Sequence, residues 1–381
     1  MADVPESTGR QQPAPGQDAR TRRMVRRLAE LVGCESPSGH RAGLESCYDL
    51  LEGWAPEGLG EARRVVRDGV PHLYWPGPGG SPRVLLLGHA DTVWPLGTLT
   101  QRPFREDGDR LSGPGVFDMK AGLVIALEAL ALVGDLGGVG VLVTGDEETG
   151  SVTSRALLEE VARDASAVLV LEPSDDGAVK TARKGAAFYQ VAFRGRAAHA
   201  GLEPERGANA LIELAHQVIA MGELSDPAAG TTVTPTRARA GTAMNVVPDA
   251  AELWVDVRAW TAGELLRVED RLKNLTARTP DVAVTVTGTV NRYPLEPERS
   301  ASLLRVARAV AAARGLPEVG AVRVGGASDG NFTAALGVPT LDGLGPVGDG
   351  AHAVHEWVQA GSLVRRAELV AGIVEALGRP A

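Results

Sequence analysis

Apolar residues in the first half of the chain fall into short, nearly unbroken runs. Residues 83–88 (RVLLLG), 138–145 (GVGVLVTG) and 167–172 (AVLVLE) read as strands with almost no polar interruption, the pattern of a sheet covered on both faces. Residues 119–134 (MKAGLVIALEALALVG) and 151–164 (SVTSRALLEEVARD) lie between them and carry helical patterning. Upstream, residues 21–39 (TRRMVRRLAELVGCESPSG) form an amphipathic helix from about Thr21 that stops at the Ser-Pro-Ser-Gly turn. The alternation predicts an α/β domain.

From about Arg183 the periodicity changes. Residues 186–195 (AAFYQVAFRG) and 251–260 (AELWVDVRAW) alternate apolar and polar positions, as strands with one solvated face do. Two helical stretches, 207–224 and 261–277, and a further strand at 281–290 (DVAVTVTGTV) belong to the same segment. After 291–300 (NRYPLEPERS) the α/β pattern resumes, with a helix from about Ser302, a strand at 338–343 (VPTLDG) and a last helix from about Ser362. The reading is an α/β domain interrupted by a smaller α+β domain, without internal repeats.

Length and charge narrow the partners. A chain of 381 residues with 44% hydrophobic content exceeds the usual single domain. A net charge of −9 offers no footprint for nucleic acid or an anionic membrane. Residues 1–20 are rich in Pro, Gln and Gly, lack the apolar core of a signal peptide, and read as a disordered tail. The most apolar segment, 121–134, is interrupted by Glu128 and too short to span a bilayer. A soluble, cytoplasmic protein is expected, with Cys34 and Cys47 as packing residues.

Chemistry-bearing side chains recur at or after the predicted strand ends. His89 and Asp91 follow the first strand at i, i+2, so in extended chain they share a face. Asp118 stands in GPGVFDMKAG, Glu147 and Glu148 in TGDEETGS, Glu172 in LEPS, and His352 and His355 in GAHAVHE. Strand C-termini of an open α/β sheet form its ligand crevice, so these residues are expected to converge. Four or five packed carboxylates repel one another and require a compensating cation. Two divalent metals supply it, and the mixed His and carboxylate set suits zinc, with cobalt or manganese compatible by ligand type.

These segments, with GHADTV, GRAAHAG and GTAMNVVPDAAELWVDVR, resemble the zinc aminoacylase and carboxypeptidase family, which includes glutamate carboxypeptidase, acetylornithine deacetylase and succinyl-diaminopimelate desuccinylase. The resemblance keeps motif order over nearly the whole chain. It implies a mixed-sheet dizinc catalytic domain (21–182 and 294–381) interrupted by a two-helix, four-stranded antiparallel lid and dimerisation domain (183–293). It implies that Asp118 bridges two zinc ions, with His89 and Glu172 completing one site and Glu148 and His352 the other. Asp91 would orient His89 through its far nitrogen, and Glu147 would serve as general base. His352, four residues before Glu356, takes the ligand role, leaving His355 in the loop near the pocket.

The implied reaction is amide hydrolysis by a zinc-activated water. His199, in the insert, matches a histidine that reaches the partner subunit's active site and stabilises the oxyanion, which makes the expected assembly a homodimer through the lid. Asn245, Arg258, Arg292 and Gly326 match substrate-side positions, and an arginine's paired donors suit a carboxylate. The expected substrate is a small peptide or N-acyl amino acid, with glutamate released from the C-terminal side. Two alternatives stand beside it: an N-acyl-amino-acid deacylase of the acetylornithine or succinyl-diaminopimelate type, and a noncatalytic binding relative.

Overall fold

The computed structural model describes residues 17–378. The first helix, α1 (Gln17–Val32), begins earlier than Thr21, so Gln17–Arg20 of the expected tail are helical. Arg20 holds that first turn through an ion pair with Glu368 at 3.2 Å. Residues 1–16 lie outside the described residues.

Chain order continues with α2 (Arg41–Trp54), β1 (Arg63–Arg67), β2 (Val70–Trp75), β3 (Val84–His89), α3 (Ala121–Leu130), β4 (Val139–Thr144), α4 (Arg155–Ala162) and β5 (Ala167–Val170). Then come β6 (Gly185–Arg194), α5 (Ala210–Gly222), β7 (Thr232–Ala240), β8 (Ala250–Ala259), α6 (Ala262–Lys273) and β9 (Ala283–Arg292). The chain closes with α7 (Pro297–Arg314), α8 (Gly330–Ala335), β10 (Thr340–Leu341) and α9 (Ala360–Gly378).

The main sheet is mixed, in the order β1-β2-β4-β3-β5-β10. Strands β4, β3, β5 and β10 run parallel to one another, while β1 and β2 form an antiparallel margin. Period-two geometry divides its side chains between two cores. Val84 and Leu86 pack with α1, α3 and α9 on one face, whereas Leu85 and Leu87 pack with α4 and α8 on the other. Each fully buried leucine contributes about 1.5–3 kcal/mol relative to exposure. The parallel β3 to β5 set therefore cannot be shifted by one residue without exchanging both cores.

Two glycines let layers approach closely. A Cβ on Gly122 in α3 would lie 2.1 Å from the Leu171 carbonyl oxygen, so α3 packs directly on the chain leading to Glu172. A Cβ on Gly185 would lie 2.7 Å from the Arg292 oxygen.

The segment between those last two residues builds a separate antiparallel sheet, β7-β8-β6-β9, with its own core. Strand β8 buries every second residue, and Leu253, Val255 and Val257 meet Leu214 of α5 and Leu265, Val268 and Leu272 of α6. The chain enters and leaves this sheet side by side. Arg183 N–H donates to the Leu295 carbonyl at 3.0 Å, and Leu295 N–H returns the bond to Arg183 at 3.1 Å. Among the described residues no helix is long and apolar enough to cross a membrane.

Candidate metal centre

Strand β3 ends on His89, and Asp91 follows in the turn. His89 Nε2 lies 3.3 Å from Asp118 Oδ1 and 3.5 Å from Glu172 Oε1. On the other side of the same aspartate, His352 Nε2 lies 3.3 Å from Asp118 Oδ2 and 3.0 Å from Glu148 Oε2. One carboxylate thus faces two imidazoles, one oxygen toward each. Donor atoms of His89, Asp118 and Glu148, and those of His89, Glu147 and Glu172, lie within 4.8 Å of one another. His352 reaches this cluster from a loop whose backbone there is left-handed, φ 61°, a conformation unusual for a residue with a side chain.

Backbone amides and buried polar groups orient the cluster. His89 Nδ1 donates to the Asp91 carbonyl oxygen at 2.9 Å, while the Asp91 carboxylate stands 3.4 Å away. The backbone of Asp91, more than its side chain, therefore fixes the tautomer that leaves Nε2 free for a metal. The Asp91 carboxylate instead accepts from the backbone N–H of Glu147 and Glu148, each at 3.1 Å, and from Ser38 Oγ at 2.6 Å. It pins the turn that carries both glutamates.

Glu356 does the same for Asp118, a role the sequence reading did not assign. Buried beneath the Gly115–Asp118 turn, it accepts from Phe117 N–H (2.9 Å) and Asp118 N–H (3.1 Å) on one oxygen. The other oxygen accepts from Gly115 N–H (2.9 Å) and the Trp94 indole (3.0 Å). Glu172 also has a buried cation behind it: Arg183 Nη2 is 3.5 Å away and is itself held by Asp342 through two bonds at 2.7 and 2.8 Å.

Electrostatics show what the donor set lacks. Burial pushes the His89 imidazole down, yet Asp118, Asp91 and Glu172 outweigh it and hold its pKa well above the ordinary value. Hydrogen bonds to Asp118 and Glu148 raise His352 to about 10. Burial raises the Glu148 carboxyl, against the pull of His352. A field that favours a proton on two imidazoles equally favours divalent cations between them, so the residues fit a dinuclear metal group.

The sequence profile of peptidase family M20/M25/M40 matches residues 85–376. The chain belongs to that family. Carboxypeptidase G2 of Pseudomonas sp. (strain RS-16) is 33% identical, covering 93% of this chain and 89% of its own. Succinyl-diaminopimelate desuccinylase of Paracoccus denitrificans is 31% identical, over 91% and 96% respectively. The structure of aminopeptidase PepT from Bacillus cereus superposes with a TM-score of 0.74 at 24% identity, covering 94% of this chain and 99% of its own. A metallopeptidase of the M20/M25/M40 family thus has the mixed-sheet α/β fold with an additional antiparallel sheet.

Of the substrate-side candidates of this M20 chain, Arg292 bonds a residue of the cluster and the others, among the described residues, do not. His199 is exposed on the loop after β6, where its Nδ1 accepts from Gly201 N–H at 3.1 Å. The Asn245 loop is zipped against it, with Ala200 N–H donating to the Asn245 carbonyl at 2.9 Å and Val247 N–H to the Ala198 carbonyl at 2.9 Å. His199 and Asn245 therefore share one end of the antiparallel sheet, beyond the paired ends of its central strands β6 and β8. Arg258 makes no bond to the cluster: Asp256, two residues back on the same strand face, accepts from its Nε and Nη2 at 2.8 and 2.9 Å. The Gly326 carbonyl accepts from Arg183 Nη1 at 3.1 Å. The His355 carbonyl accepts from Arg110 at 3.2 Å. Arg292 does come to the cluster, buried, 3.0 Å from Glu147 Oε1 and 3.1 Å from Asp329 Oδ1.

Proposed function

We propose that this chain is a dizinc amide hydrolase of the glutamate carboxypeptidase type, releasing a C-terminal amino acid, glutamate first among them, from a peptidyl or N-acyl conjugate. The observation that carries the reading is Asp118, with one oxygen 3.3 Å from each of two opposed histidines. His89 and Glu172 would hold one zinc, Glu148 and His352 the other, and Asp118 both; cobalt or manganese suits the same donors. The metals, when bound, lower the pKa of water toward neutrality and polarise the amide carbonyl. Glu147, not needed as a ligand, takes a proton from the attacking water and delivers it to the leaving nitrogen. Burial raises its carboxyl well above the ordinary value, against the opposing pull of Arg292, which suits a group that must both accept and release a proton.

In this reading residues 21–182 and 294–381 are the catalytic domain and 183–293 the lid and dimerisation domain. His199 and Asn245, adjacent to each other and without a bond to the cluster among the described residues, support a role completed by closure or by a partner subunit. Leu211, Ile212 and Ile219 are exposed on α5 of the same domain, an apolar patch of the kind a homodimer covers. Arg258 would exchange Asp256 for a substrate carboxylate on closure. Likeness to carboxypeptidase G2 supports release of a C-terminal amino acid. The desuccinylase likeness favours, as second reading, deacylation of an N-acyl diamino acid.

The test is a panel of N-acyl amino acids and small peptides assayed with added zinc or cobalt. Hydrolysis of N-acyl glutamates is expected, and Glu147→Gln should lower kcat by about 10²–10⁴-fold while two metal equivalents remain bound. Turnover confined to N-acyl diamino acids would select the second reading, and undiminished hydrolysis by Glu147→Gln would remove the glutamate from its role. A fully active monomer would rule out His199 acting across subunits.

A further inference from the structure

Arg292 stands where a substrate-binding arginine was expected, but its surroundings indicate a different use. It is the last residue of β9, the strand by which the chain leaves the antiparallel sheet. Its Nη2 lies 3.0 Å from Glu147 Oε1, 3.3 Å from the Glu147 carbonyl oxygen, 2.5 Å from Ser151 Oγ and 3.1 Å from Asp329 Oδ1. One amino group with two hydrogens is thus already shared among four oxygens. Its guanidinium also stacks over Phe332, 5.0 Å from the ring centre.

Asp329 is the other end of this arrangement. It is buried, and Oδ1 accepts from the Ser151 hydroxyl as well as from Arg292. Oδ2 accepts from Thr144 Oγ1, on the last residue of β4, at 2.9 Å. Ser151 itself is fully buried and left-handed, φ 58°. A non-glycine residue persists in that region when its neighbours over-determine it. Here Asp329, Arg292 and the Ser151 N–H bond to Asp146 O (2.9 Å) do so. The turn bearing Glu147 and Glu148 is therefore gripped at its start by Asp91 and at its end by Ser151.

We propose that Asp329 is a positioning residue for the general base: with Ser151 and Thr144 it fixes Arg292, and Arg292 fixes the Glu147 carboxylate. Two ion pairs in a desolvated site hold the guanidinium in place through Nη2, while its buried Nε has no hydrogen-bond partner among the described residues. The chain that leaves the antiparallel sheet thereby ends on the base, so a shift of that sheet is felt at Glu147. The inference rests on Glu147 being the base.

The experiment uses the full metal-loaded chain and whichever N-acyl glutamate the wild type turns over fastest. Asp329→Asn and Arg292→Lys should each lower kcat about 10- to 100-fold with KM within about twofold, the loss expected from a misplaced catalytic group. The double variant should be no worse than the worse single one, since the two act through one contact chain. Bound metal is measured alongside and should stay at two equivalents. Ser151→Ala, which keeps both ion pairs, should show a smaller loss confined to kcat and serves where Asp329→Asn does not fold. A raised KM at unchanged kcat, or losses that multiply in the double variant, overturns the proposal. Loss in Glu147→Gln with wild-type kcat in Asp329→Asn and Ser151→Ala overturns it alone, whereas wild-type kcat in Glu147→Gln overturns the reading of the base.

Discussion

Replacing Glu356 by glutamine tests whether a buried carboxylate assembles the turn that presents Asp118. Glu356 is 1% exposed and receives four N–H donors, two on each oxygen. Glutamine has the same shape but only one oxygen, so two donors would face an amide NH2 and lose their acceptor. Hydrogen bonds to a charged group contribute about 1.5–3 kcal/mol each, so the loss is about 3–6 kcal/mol. That is a large part of the roughly 5–15 kcal/mol by which a native protein is stable. At about 2 °C per kcal/mol for a large domain, the thermal midpoint should fall by about 6–12 °C. Metal content by mass spectrometry should fall with it, because Asp118 N–H is one of the four donors. Calorimetry and metal analysis of Glu356→Gln beside wild type decide the matter. An unchanged midpoint with two bound metals would refute the reasoning, because it would mean the turn does not need the second acceptor.

Two further outcomes are read in stability. Gly122→Ala places a methyl group 2.1 Å from the Leu171 carbonyl and should destabilise by about 1–3 kcal/mol or more as an overpacked site, whereas Gly53→Ala in α2, with nothing within 4 Å, should stabilise by about 0.5 kcal/mol through helix propensity; urea titration of both variants checks the opposite signs. Glu264 is held down to about 2 by hydrogen bonds from Arg267 and Thr231, so its contribution is present above its unfolded pKa of 4.5 and is lost as pH falls through about 2. Glu264→Gln should therefore cost about 1 kcal/mol at pH 7, a partly exposed pair, and only a small fraction of that at pH 2, with denaturant midpoints at both pH values as the readout.

The strands that carry the cluster were readable because their sequences are nearly pure apolar runs, and β3, β4 and β5 lie where those runs stand. Alternation likewise marks β6 and β8 of the second sheet, and β9 stands where a further strand is read at 281–290. Its fourth member, β7, was not located: Thr232–Ala240 holds Pro235 and two arginines, a composition that argues against a strand. The structure resolves the conflict by using it at the sheet edge, with a bulge between Pro235 and Arg237, where a missing N–H is tolerated. The β1–β2 hairpin was also overlooked, although Asp68 and Gly69, at φ 46° and 85°, make the two-residue turn that such a dipeptide favours. Its outer strand is mostly charged and exposed, so no apolar pattern marks it.

At the site, side-chain chemistry was legible and its support was not. His89, Asp118, Glu148, Glu172 and His352 are residue types that announce metal chemistry, and they are found together. Glu356 and Asp91 act on backbone N–H groups, which every residue has, so no sequence pattern distinguishes the partners. Arg258 and Arg292 illustrate the converse. A guanidinium near a site can be read from the chain, but whether its donors are free depends on Asp256 and on Asp329, the latter 37 residues away.

The paired crossing at Arg183 and Leu295 has an architectural consequence. Because the chain departs for the second sheet and returns from it through one reciprocally bonded step, the core sheet meets what lies beyond Gly185 and Arg292 as a long excursion from one place, with Arg292 itself fastened to Glu147 and Asp329 on the near side. The ends to be joined are already neighbours in the native fold, so loop closure sets little restriction on what lies beyond them. An excursion tethered this way can lengthen, shrink or be exchanged for another while the strand order behind it stays as it is. Gly185, with no room for even a methyl group against Arg292 and Pro294, marks the doorway such exchanges would have to keep.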